Sequence, residues 1–452
     1  MRMAAPENGT VLRRFAGLAW PASLEGLLLV LLSSVDLVMV SGIGLDATSA
    51  VGVFSQPKLV LLCAPRSFAV AVTVRTALLA GQGRSEALSR CLKQSLVAGG
   101  TGSLILLTAA WIWLEPLLQA AGAQPSYLLS AVEYGRPMLL SLFFTALSTV
   151  LQGGLLGIGR TRSMLLSNVM GNGANILVNA LLIYGFGPFP RMGVAGAGWG
   201  TVAGTALTLT MTAASLARGE GYLRGRDGWR PTIEHLGPMA GTFSGALAEQ
   251  ATERVGMFLY SRMAAGLGTM PFAVHTICMN LCDIYYCFAQ GLSKAGLSLS
   301  SFWLGADERQ KFRQLRRLSL RLSGLLGGAA MLLYILIRDS LLGFYQLAPE
   351  ASLLGRDIML LVGAVSIPET FSLVCSGLLR GAGQIRYVAV YSLVSIALVR
   401  PALTWLLCYG MGLGLYGAWI SLMVDQGTRA ICAVWKLVLM KQKGNGILKD
   451  YD

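Results

Sequence analysis

The sequence predicts an all-α polytopic membrane protein, because its composition and its long apolar segments agree. Of its residues, 54% are hydrophobic and 13% are charged, whereas a soluble protein carries roughly 25% charged residues. A helix needs about 20 apolar residues to cross a bilayer core of about 30 Å. Twelve segments reach that length: 15–42, 52–80, 94–117, 127–156, 163–186, 193–217, 237–266, 271–303, 318–342, 353–380, 387–410 and 414–440.

The first segment is interpreted as a membrane span. It is long, it carries Glu25 and Asp36, and no small-residue cleavage site follows it. A removable signal peptide has a shorter apolar region and ends at such a site. The segment is therefore counted with the other eleven as a transmembrane helix.

The basic residues lie mainly in alternate loops, and this pattern predicts the orientation. They precede the first segment, follow the second, fourth, sixth and eighth, and recur around the turn after the tenth (Arg380 and Arg386) and in the tail. By the positive-inside rule, both termini are expected in the cytoplasm and the protein in the cell (cytoplasmic) membrane. Because this placement accounts for the net charge of +14, a nucleic-acid partner is not expected.

An internal repeat divides the chain into halves of six segments each. An offset of 224 residues aligns Glu25 with Glu249 and Gly153-xxx-Gly157 with Gly377-xxx-Gly381. Six is an even number, so both halves enter the membrane in the same direction and form parallel repeats. The predicted organisation is an N-terminal lobe (1–217), a cytoplasmic linker (218–236), a C-terminal lobe (237–440) and a cytoplasmic tail (441–452).

Several short motifs resemble those of the multidrug and toxic compound extrusion (MATE) family. They are Pro21-Ala-Ser-Leu-Glu25, Val35-Asp36-Leu-Val-Met-Val-Ser-Gly42-Ile-Gly44, Gly159-Arg-Thr-Arg162, Asn175-Ile-Leu-Val-Asn179, Gly193-Val-Ala-Gly196-Ala and Gly377-Leu-Leu-Arg380-Gly-Ala-Gly383. The resemblance covers nearly the whole chain. It implies a V-shaped pair of six-helix lobes around a central cavity, which exchanges cytoplasmic drugs for external protons or sodium ions.

Polar residues of the first half are predicted to converge within the membrane. Asp36 lies six residues before Gly42, hence about 9 Å from the end of its helix. By the same reasoning Asn179 and Thr201 lie at a similar depth. Polar groups inside a membrane are costly and usually mark ion or substrate pathways.

The fifth segment carries an asparagine stripe, formed by Asn168, Asn172, Asn175 and Asn179 at spacings that share one helical face. Carboxylate, amide and hydroxyl oxygens suit a proton or a hard cation; interhelical hydrogen bonding is the alternative role. The resemblance implies that Asp36, Asn175, Asn179 and Thr201 bind the coupling cation. One branch of the family has aspartate at the position of Asn179, so this chain looks closer to the NorM-type branch.

The second half carries a second candidate site. Glu253 and Glu369 are both expected near the middle of the bilayer, about 18–20 Å from a helix end, where they would bind a shared cation or proton, or a cationic substrate. The resemblance to the NorM-type branch places acidic residues at these positions. The alternative is two separate carboxylates, each neutralised by a neighbour such as Arg254.

Further membrane-embedded polar residues have less specific roles. Secondary candidates are Glu25, Glu249, Asp283 and His275. Arg400 and Asp425 lie at similar depths in the last two segments, and we predict that they form a buried structural ion pair. No metal site is expected beyond possible Na⁺ binding.

The function predicted is secondary active export of small amphipathic, often cationic, solutes by a monomer, with a proton or Na⁺ as coupling ion and no cofactor. The sequence has no Gly-x4-Gly-Lys-Ser/Thr loop for ATP and only two histidines for acid–base catalysis, so an enzyme is not expected. The alternative is a flippase for lipids or lipid-linked saccharides. An inward-facing cluster of Arg66, Arg75 and Lys294 would favour it.

Overall fold

The computed structural model describes residues 11–185, 189–218, 221–343, 345 and 347–440, and all its elements are helical. The helices are, in chain order, α1 (Val11–Ser41), α2 (Leu45–Leu61), α3 (Cys63–Gly81), α4 (Ser85–Ile112), α5 (Leu114–Ala120), α6 (Leu128–Gly157), α7 (Thr161–Tyr184), α8 (Gly193–Arg218), α9 (Ile233–Ala265), α10 (Thr269–Gly305), α11 (Arg309–Gly343), α12 (Pro349–Gly381), α13 (Ile385–Leu393), α14 (Arg400–Trp405) and α15 (Gly414–Leu439). Two π-helical segments, Val394–Val399 and Leu406–Gly410, flank α14.

Nine helical segments of the described residues are long and apolar enough to cross a membrane. Helices α8, α9 and α15 are not among them, although they have 26, 33 and 26 residues. Both α9 and α15 carry ionisable residues along their length, such as Glu253 and Asp425. Every predicted segment nevertheless overlaps helices of the structure, although 52–80 spans α2 and α3 and 94–117 spans α4 and α5. The predicted tail lies outside the described residues.

The chain divides into two compact units. Unit 1 contains Glu25–Phe243, and unit 2 contains residues 11–24 and 244–440 of the described chain. The divisions fall inside α1 and α9, so the first turns of each helix pack in a different unit from the rest of it. Helix α9 begins at Ile233, within the predicted linker.

The first turns of α1 and α9 take equivalent places in the two units. In unit 2, Phe15 joins a core formed with α10, and Ser23 Oγ donates to the Phe288 carbonyl at 3.3 Å. In unit 1, Met239 of α9 is buried, and its sulfur lies 3.9 Å from Cys91 Sγ of α4. Each of these two segments therefore contributes buried residues to the core of the unit in which it packs.

Repeat-equivalent glycines hold the same helices close together in both units. Gly153 and Gly157 of α6 face the backbone of α3, and Gly377 and Gly381 of α12 face that of α10. A Cβ at these four positions would lie 2.2–2.8 Å from a carbonyl oxygen of the neighbouring helix. Small residues permit this backbone approach in membrane helices, so the duplication is visible in the packing.

A repeated tyrosine hydrogen bond closes one end of each unit. Tyr184 donates its hydroxyl to the carbonyl of Met39 at 3.1 Å in unit 1, and Tyr409 donates to that of Met263 at 2.7 Å in unit 2. Both pairs tie a late helix to the end of α1 or α9. Equivalent residues thus make equivalent contacts, as a duplication requires.

An ion pair between α14 and α15 lies in the buried interior of unit 2. Arg400 Nε donates to Asp425 Oδ2 at 3.0 Å, and its Nη2 donates to the same oxygen. Ser395 Oγ donates to the other carboxylate oxygen at 2.6 Å. Arg400 is 2% exposed and Asp425 is 0% exposed, so each charge depends on the other for compensation.

The helix that carries Arg400 changes its winding on both sides of the pair. Before this helix, Gly159 aligns with Gly383 at an offset of 224 residues; near its end, Tyr184 aligns with Tyr409 at an offset of 225. The second repeat is therefore one residue longer between these two points. The wider π-helical turns accommodate an additional residue without breaking the helix. Pro401, which has no N–H to donate, follows Arg400 directly.

We expect the Arg400–Asp425 pair to be structural. Removal of one partner leaves the other charge buried and unpaired, which costs about 3–5 kcal/mol. Arg400→Gln and Asp425→Asn should therefore each lower the unfolding temperature of the purified protein in detergent, as measured by differential scanning fluorimetry.

An exposed ion pair on α11 and α12 provides the control. Arg356 Nε lies 2.7 Å from Asp339 Oδ1, with side chains 44% and 60% exposed. Exposed pairs contribute about 0–1 kcal/mol, so Arg356→Gln should leave the unfolding temperature nearly unchanged. Wild-type stability in Arg400→Gln and Asp425→Asn, together with lost transport, would contradict a structural role.

Candidate functional site: polar clusters in the two units

The polar cluster of unit 1 is centred on Asp36. This residue lies on α1 and is half-buried, and Asn179 of α7 is 1% exposed. Asn179 Nδ2 donates to Asp36 Oδ1 at 2.9 Å. The carboxylate of one helix is therefore held by an amide of another, within a segment that composition assigns to the membrane.

Asn175 and Thr201 complete this cluster. When the Asn175 amide nitrogen faces Asp36, it lies 2.9 and 3.1 Å from the two carboxylate oxygens. The amide oxygen then lies 3.0 Å from the backbone N of Thr201 on α8 and 3.2 Å from its hydroxyl. The structure thus brings Asp36, Asn175, Asn179 and Thr201 into one hydrogen-bonded group.

Two glycines of α8 make room for the asparagines. A Cβ at Gly200 would lie 2.0 Å from Asn179 Oδ1. A Cβ at Gly204 would lie 2.7 Å from the Cβ of Asn175. The sequence analysis did not single out these glycines. Their spacing with Gly196 is the small-xxx-small pattern of closely packed membrane helices, and it could have identified them.

Lys58 of α2 is a further residue that the sequence analysis missed. It is half-buried, and it interacts electrostatically with Asp36. An ionisable residue in an otherwise apolar segment was the available signal. The Asp36 carboxylate therefore has amide hydrogen-bond donors and an ionisable amine in its surroundings.

A separate polar chain in unit 1 involves Glu25, which is 4% exposed. Asn168 Nδ2 donates to Glu25 Oε1 at 2.6 Å, and Gln152 Nε2 donates to Asn168 Oδ1 at 2.8 Å. The chain links α1, α7 and α6. The amide of Asn172 donates instead to the Asn168 backbone carbonyl within its own helix. The asparagine stripe is therefore divided: Asn175 and Asn179 contact Asp36, Asn168 contacts Glu25, and Asn172 contacts its own helix.

In unit 2, Glu369 of α12 is hydrogen-bonded by two neighbouring helices. Tyr285 of α10 donates its hydroxyl to Oε2, and Gln426 Nε2 of α15 donates to Oε1 at 3.1 Å. Glu253 of α9 is half-buried. Both carboxylates interact electrostatically with Tyr286 and with Arg429, so they share the same polar surroundings.

Glu249 has a partner that the sequence analysis placed among the loop cations. Arg380 Nε donates to Glu249 Oε2 at 3.0 Å, and Nη2 donates to Oε1 at 2.5 Å. This is a bidentate pair of the strong, planar kind. Glu25 and Glu249 are repeat equivalents, yet one is held by an amide and the other by a guanidinium.

The other two secondary candidates have different environments. His275 is 3% exposed and packs among aromatic rings, with ring centres 5.4 Å from Tyr260 and 5.7 Å from Trp419. Asp283 is exposed. Neither joins the hydrogen-bonded groups of Glu369 or Asp425 in the described chain.

Comparison with known proteins gives relatives over nearly the whole chain. Residues 21–181 and 246–406 each match the MatE family model. The chain is 23% identical to "Probable multidrug resistance protein NorM" of Rhizobium meliloti, over 90% of this chain and 88% of that protein. It is 24% identical to "Multidrug resistance protein NorM" of Burkholderia vietnamiensis, over 94% and 93% of the two chains.

Solved structures share the fold. A multidrug resistance MATE family transporter of the MOP superfamily, in an outward-facing conformation, superimposes with a TM-score of 0.88 at 19% identity, covering 96% and 97% of the chains. A MOP superfamily transporter from Pyrococcus furiosus gives 0.86 at 20% identity, with 96% of each chain covered. The paired matches agree with the internal repeat, and this chain therefore belongs to the MatE family of multi-pass membrane transporters for small molecules and is a secondary transporter, not an enzyme.

Proposed function

We propose that the protein is an efflux antiporter that exports small amphipathic, often cationic, drugs or metabolites in exchange for protons or Na⁺ by alternating access. The observation that carries this proposal is the group formed by Asp36, Asn175, Asn179 and Thr201 inside unit 1. The names of the NorM relatives, which describe multidrug resistance proteins, support it.

The chemistry of the Asp36 group suits a reversible cation. Both asparagine amides can direct N–H groups at the carboxylate, so a proton would replace a hydrogen bond with a covalent O–H bond. Na⁺ would instead require the amide oxygens to face it, because hard cations bind oxygen ligands. Either ion changes the hydrogen bonds between α1 and α7, and this couples ion binding to helix arrangement.

We also propose twelve membrane spans with both termini in the cytoplasm of the cell. Each of the twelve predicted segments overlaps helices of the structure, and alternate loops carry most of the basic residues. In this proposal the two lobes correspond along the sequence to residues 1–217 and 237–440, with 218–236 as the linker, although the first turns of α1 and α9 pack in the other unit. The protein acts as a monomer.

The membrane potential supplies enough energy for this exchange. One charge that moves through 100 mV releases about 2.3 kcal/mol. At about 1.4 kcal/mol per factor of ten, this supports roughly a fifty-fold solute gradient. For a solute without net charge, one coupling cation per cycle is therefore sufficient, whereas a monocationic solute requires two for the same net movement of charge.

Asp36→Asn is expected to abolish coupled transport while the protein remains folded and inserted. The substitution keeps the shape of the side chain and removes its titratable, cation-binding charge. The measurement is drug-induced proton or Na⁺ flux in proteoliposomes. Asp46→Asn, which changes an exposed carboxylate at the start of α2, should transport like the wild type, and unimpaired flux in Asp36→Asn would exclude this site.

Gly200→Ala is expected to impair coupled transport without a change at any titratable residue. A Cβ would fall on Asn179 Oδ1, so the asparagine would move away from Asp36. The matched control is Gly173→Ala on α7, where a Cβ meets nothing within 4 Å. Equal flux in both variants would argue that the position of Asn179 does not matter for coupling.

Glu253 and Glu369 are expected to act as one coupled unit. Residues that share a site are non-additive, so Glu253→Gln/Glu369→Gln should lose little more transport than the worse single variant. The initial efflux rates of the two single variants and the double variant provide the measurement. If the fractional losses of efflux rate in the two single variants multiply in the double variant, the changes in activation free energy are additive. That result would show that the two carboxylates act independently.

A further inference from the structure

The first half of α11 carries a row of arginines on one exposed face. Arg313, Arg317 and Arg321 follow one another at intervals of four residues, which places them on the same side of the helix. All three side chains are exposed, and none of them forms an ion pair or a hydrogen bond with a residue of the described chain. We call these three residues the arginine stripe.

Helix α11 supplies no counter-ion for the arginine stripe. The sequence contains no Asp or Glu between Glu308 and Asp339. Those two acidic residues pair with other cations, Glu308 with Lys311 and Asp339 with Arg356. The negative charge that would balance the stripe is therefore not found along this helix.

The positive-inside rule explains only the beginning of the stripe. That rule concerns loops and the residues beside a membrane span. Arg321 lies 12 residues after Arg309, at which α11 begins, hence about 18 Å along the helix and inside the predicted span 318–342. An arginine in such a segment can extend its side chain toward the membrane surface, but its charge remains costly there without an anion.

An apolar groove lies in the same unit. Its volume is about 430 Å³, and it is formed by one residue of α12 and five residues of α15, namely Phe371, Ala430, Ile431, Val434, Trp435 and Val438. All six side chains are apolar, and that of Ile431 is 71% exposed. The groove therefore opens away from the protein interior, along helices that composition assigns to the membrane.

One end of the groove lies beside the face of α11 that carries the arginines. The ring of Phe371 lies 3.6 Å from the position that a Cβ on Gly324 would occupy. Gly324 follows Arg317 by seven residues and Arg321 by three, so it shares their side of the helix. The arginine stripe therefore leads toward the groove.

The other end of the groove lies near the start of α11. Arg316, next to the stripe, donates from Nη1 to the carbonyl of Leu437 at 2.9 Å, and Leu437 precedes Val438 of the groove. Trp435 of the groove is 60% exposed, and tryptophan rings are enriched at the membrane–water interface. The groove thus extends from the level of Arg316 to that of Gly324, with the arginine stripe on the adjacent helix.

We propose that the arginine stripe and the groove form a binding site for an anionic phospholipid. The guanidinium groups bind the phosphate oxygens, for which their planar donors are well suited, and an acyl chain lies in the groove. In the proposed topology α11 begins at the cytoplasmic face, where basic pockets between helices bind anionic headgroups. This site goes beyond the proposed efflux function, and it uses none of the carboxylates assigned to that function.

The combination of charge and groove favours this occupant over two others. A phospholipid without net charge would fill the groove but leave the three arginines unbalanced. A free phosphate ion would balance charge but leave the apolar groove without an apolar partner. An anionic phospholipid matches both features at once.

Native mass spectrometry of the detergent-purified protein tests the site. Dioleoyl phosphatidylglycerol and dioleoyl phosphatidylcholine have the same acyl chains and differ in net charge, so the ratio of their dissociation constants measures the contribution of charge. The wild type should bind one phosphatidylglycerol more tightly than phosphatidylcholine. Arg317→Gln and Arg321→Gln should each weaken phosphatidylglycerol binding about fivefold and leave phosphatidylcholine binding nearly unchanged.

Further variants separate the headgroup contacts from the groove. Trp435→Ala removes one wall of the groove and should weaken binding of both lipids by a similar factor, so that their ratio is unchanged. Arg317→Lys should keep part of the preference, because lysine retains the charge but lacks the planar fork. The matched control is Arg162→Gln, which changes an exposed arginine of α7 in unit 1 and should affect neither lipid. These substitutions alter exposed side chains, and wild-type unfolding temperatures would verify that each variant is folded.

Several results would overturn the lipid site. Equal dissociation constants of the two lipids in the wild type would do so, as would unchanged phosphatidylglycerol binding in Arg317→Gln/Arg321→Gln. An equal loss in Arg162→Gln would show diffuse attraction to basic surface in place of one site. Inorganic phosphate or dihexanoyl phosphatidylglycerol that competes as strongly as the dioleoyl lipid would show an anion site to which the groove contributes nothing.

Discussion

The central physical constraint on this chain is the cost of an unmatched polar or charged group in a medium without water. It explains why ionisable residues are few in the apolar helices and why most of them are arranged in groups. Asp36 is held by amides, Glu249 by Arg380 and Asp425 by Arg400.

The same constraint determines how the helices pack. Lipid provides no hydrophobic force between apolar helices, so their association depends on close backbone contact and interhelical hydrogen bonds. Glycines at equivalent positions of α6 and α12 bring helix backbones together in the two units. Tyr184 and Tyr409 add equivalent hydrogen bonds. The duplication therefore preserved packing contacts more strictly than it preserved charged residues.

The sequence predicted much of this arrangement because two features, the length of an apolar segment and the position of a residue along it, can be read directly from the order of residues. Apolar length gave the helices, and the distance of a residue from a helix end gave the depth at which Asp36, Asn179 and Thr201 meet. Rotation of one helix relative to another is not encoded in that way. Arg380 was therefore counted as a loop cation although it pairs with Glu249, and neither Lys58 nor Arg429 was identified as part of a polar group.

The two units differ most at the position of the Asp36 group, and the repeat explains the difference. Tyr260 takes the place of Asp36, Arg400 that of Asn175, and Asp425 that of Gly204, which packs on Asn175 in unit 1. In unit 2, Arg400 and Asp425 form a buried ion pair, and the Arg400 guanidinium lies 5.7 Å from the centre of the Tyr260 ring.

A tethered guanidinium thus occupies the place in unit 2 where unit 1 has the hydrogen-bonded carboxylate of Asp36. Because a covalently attached cation cannot leave, this position of unit 2 cannot release that charge during a transport cycle. The proposed function therefore assigns ion or substrate exchange in unit 2 to other carboxylates, Glu253 and Glu369. Duplication followed by loss of one copy of the site would give each unit a different task while both keep the same helical frame.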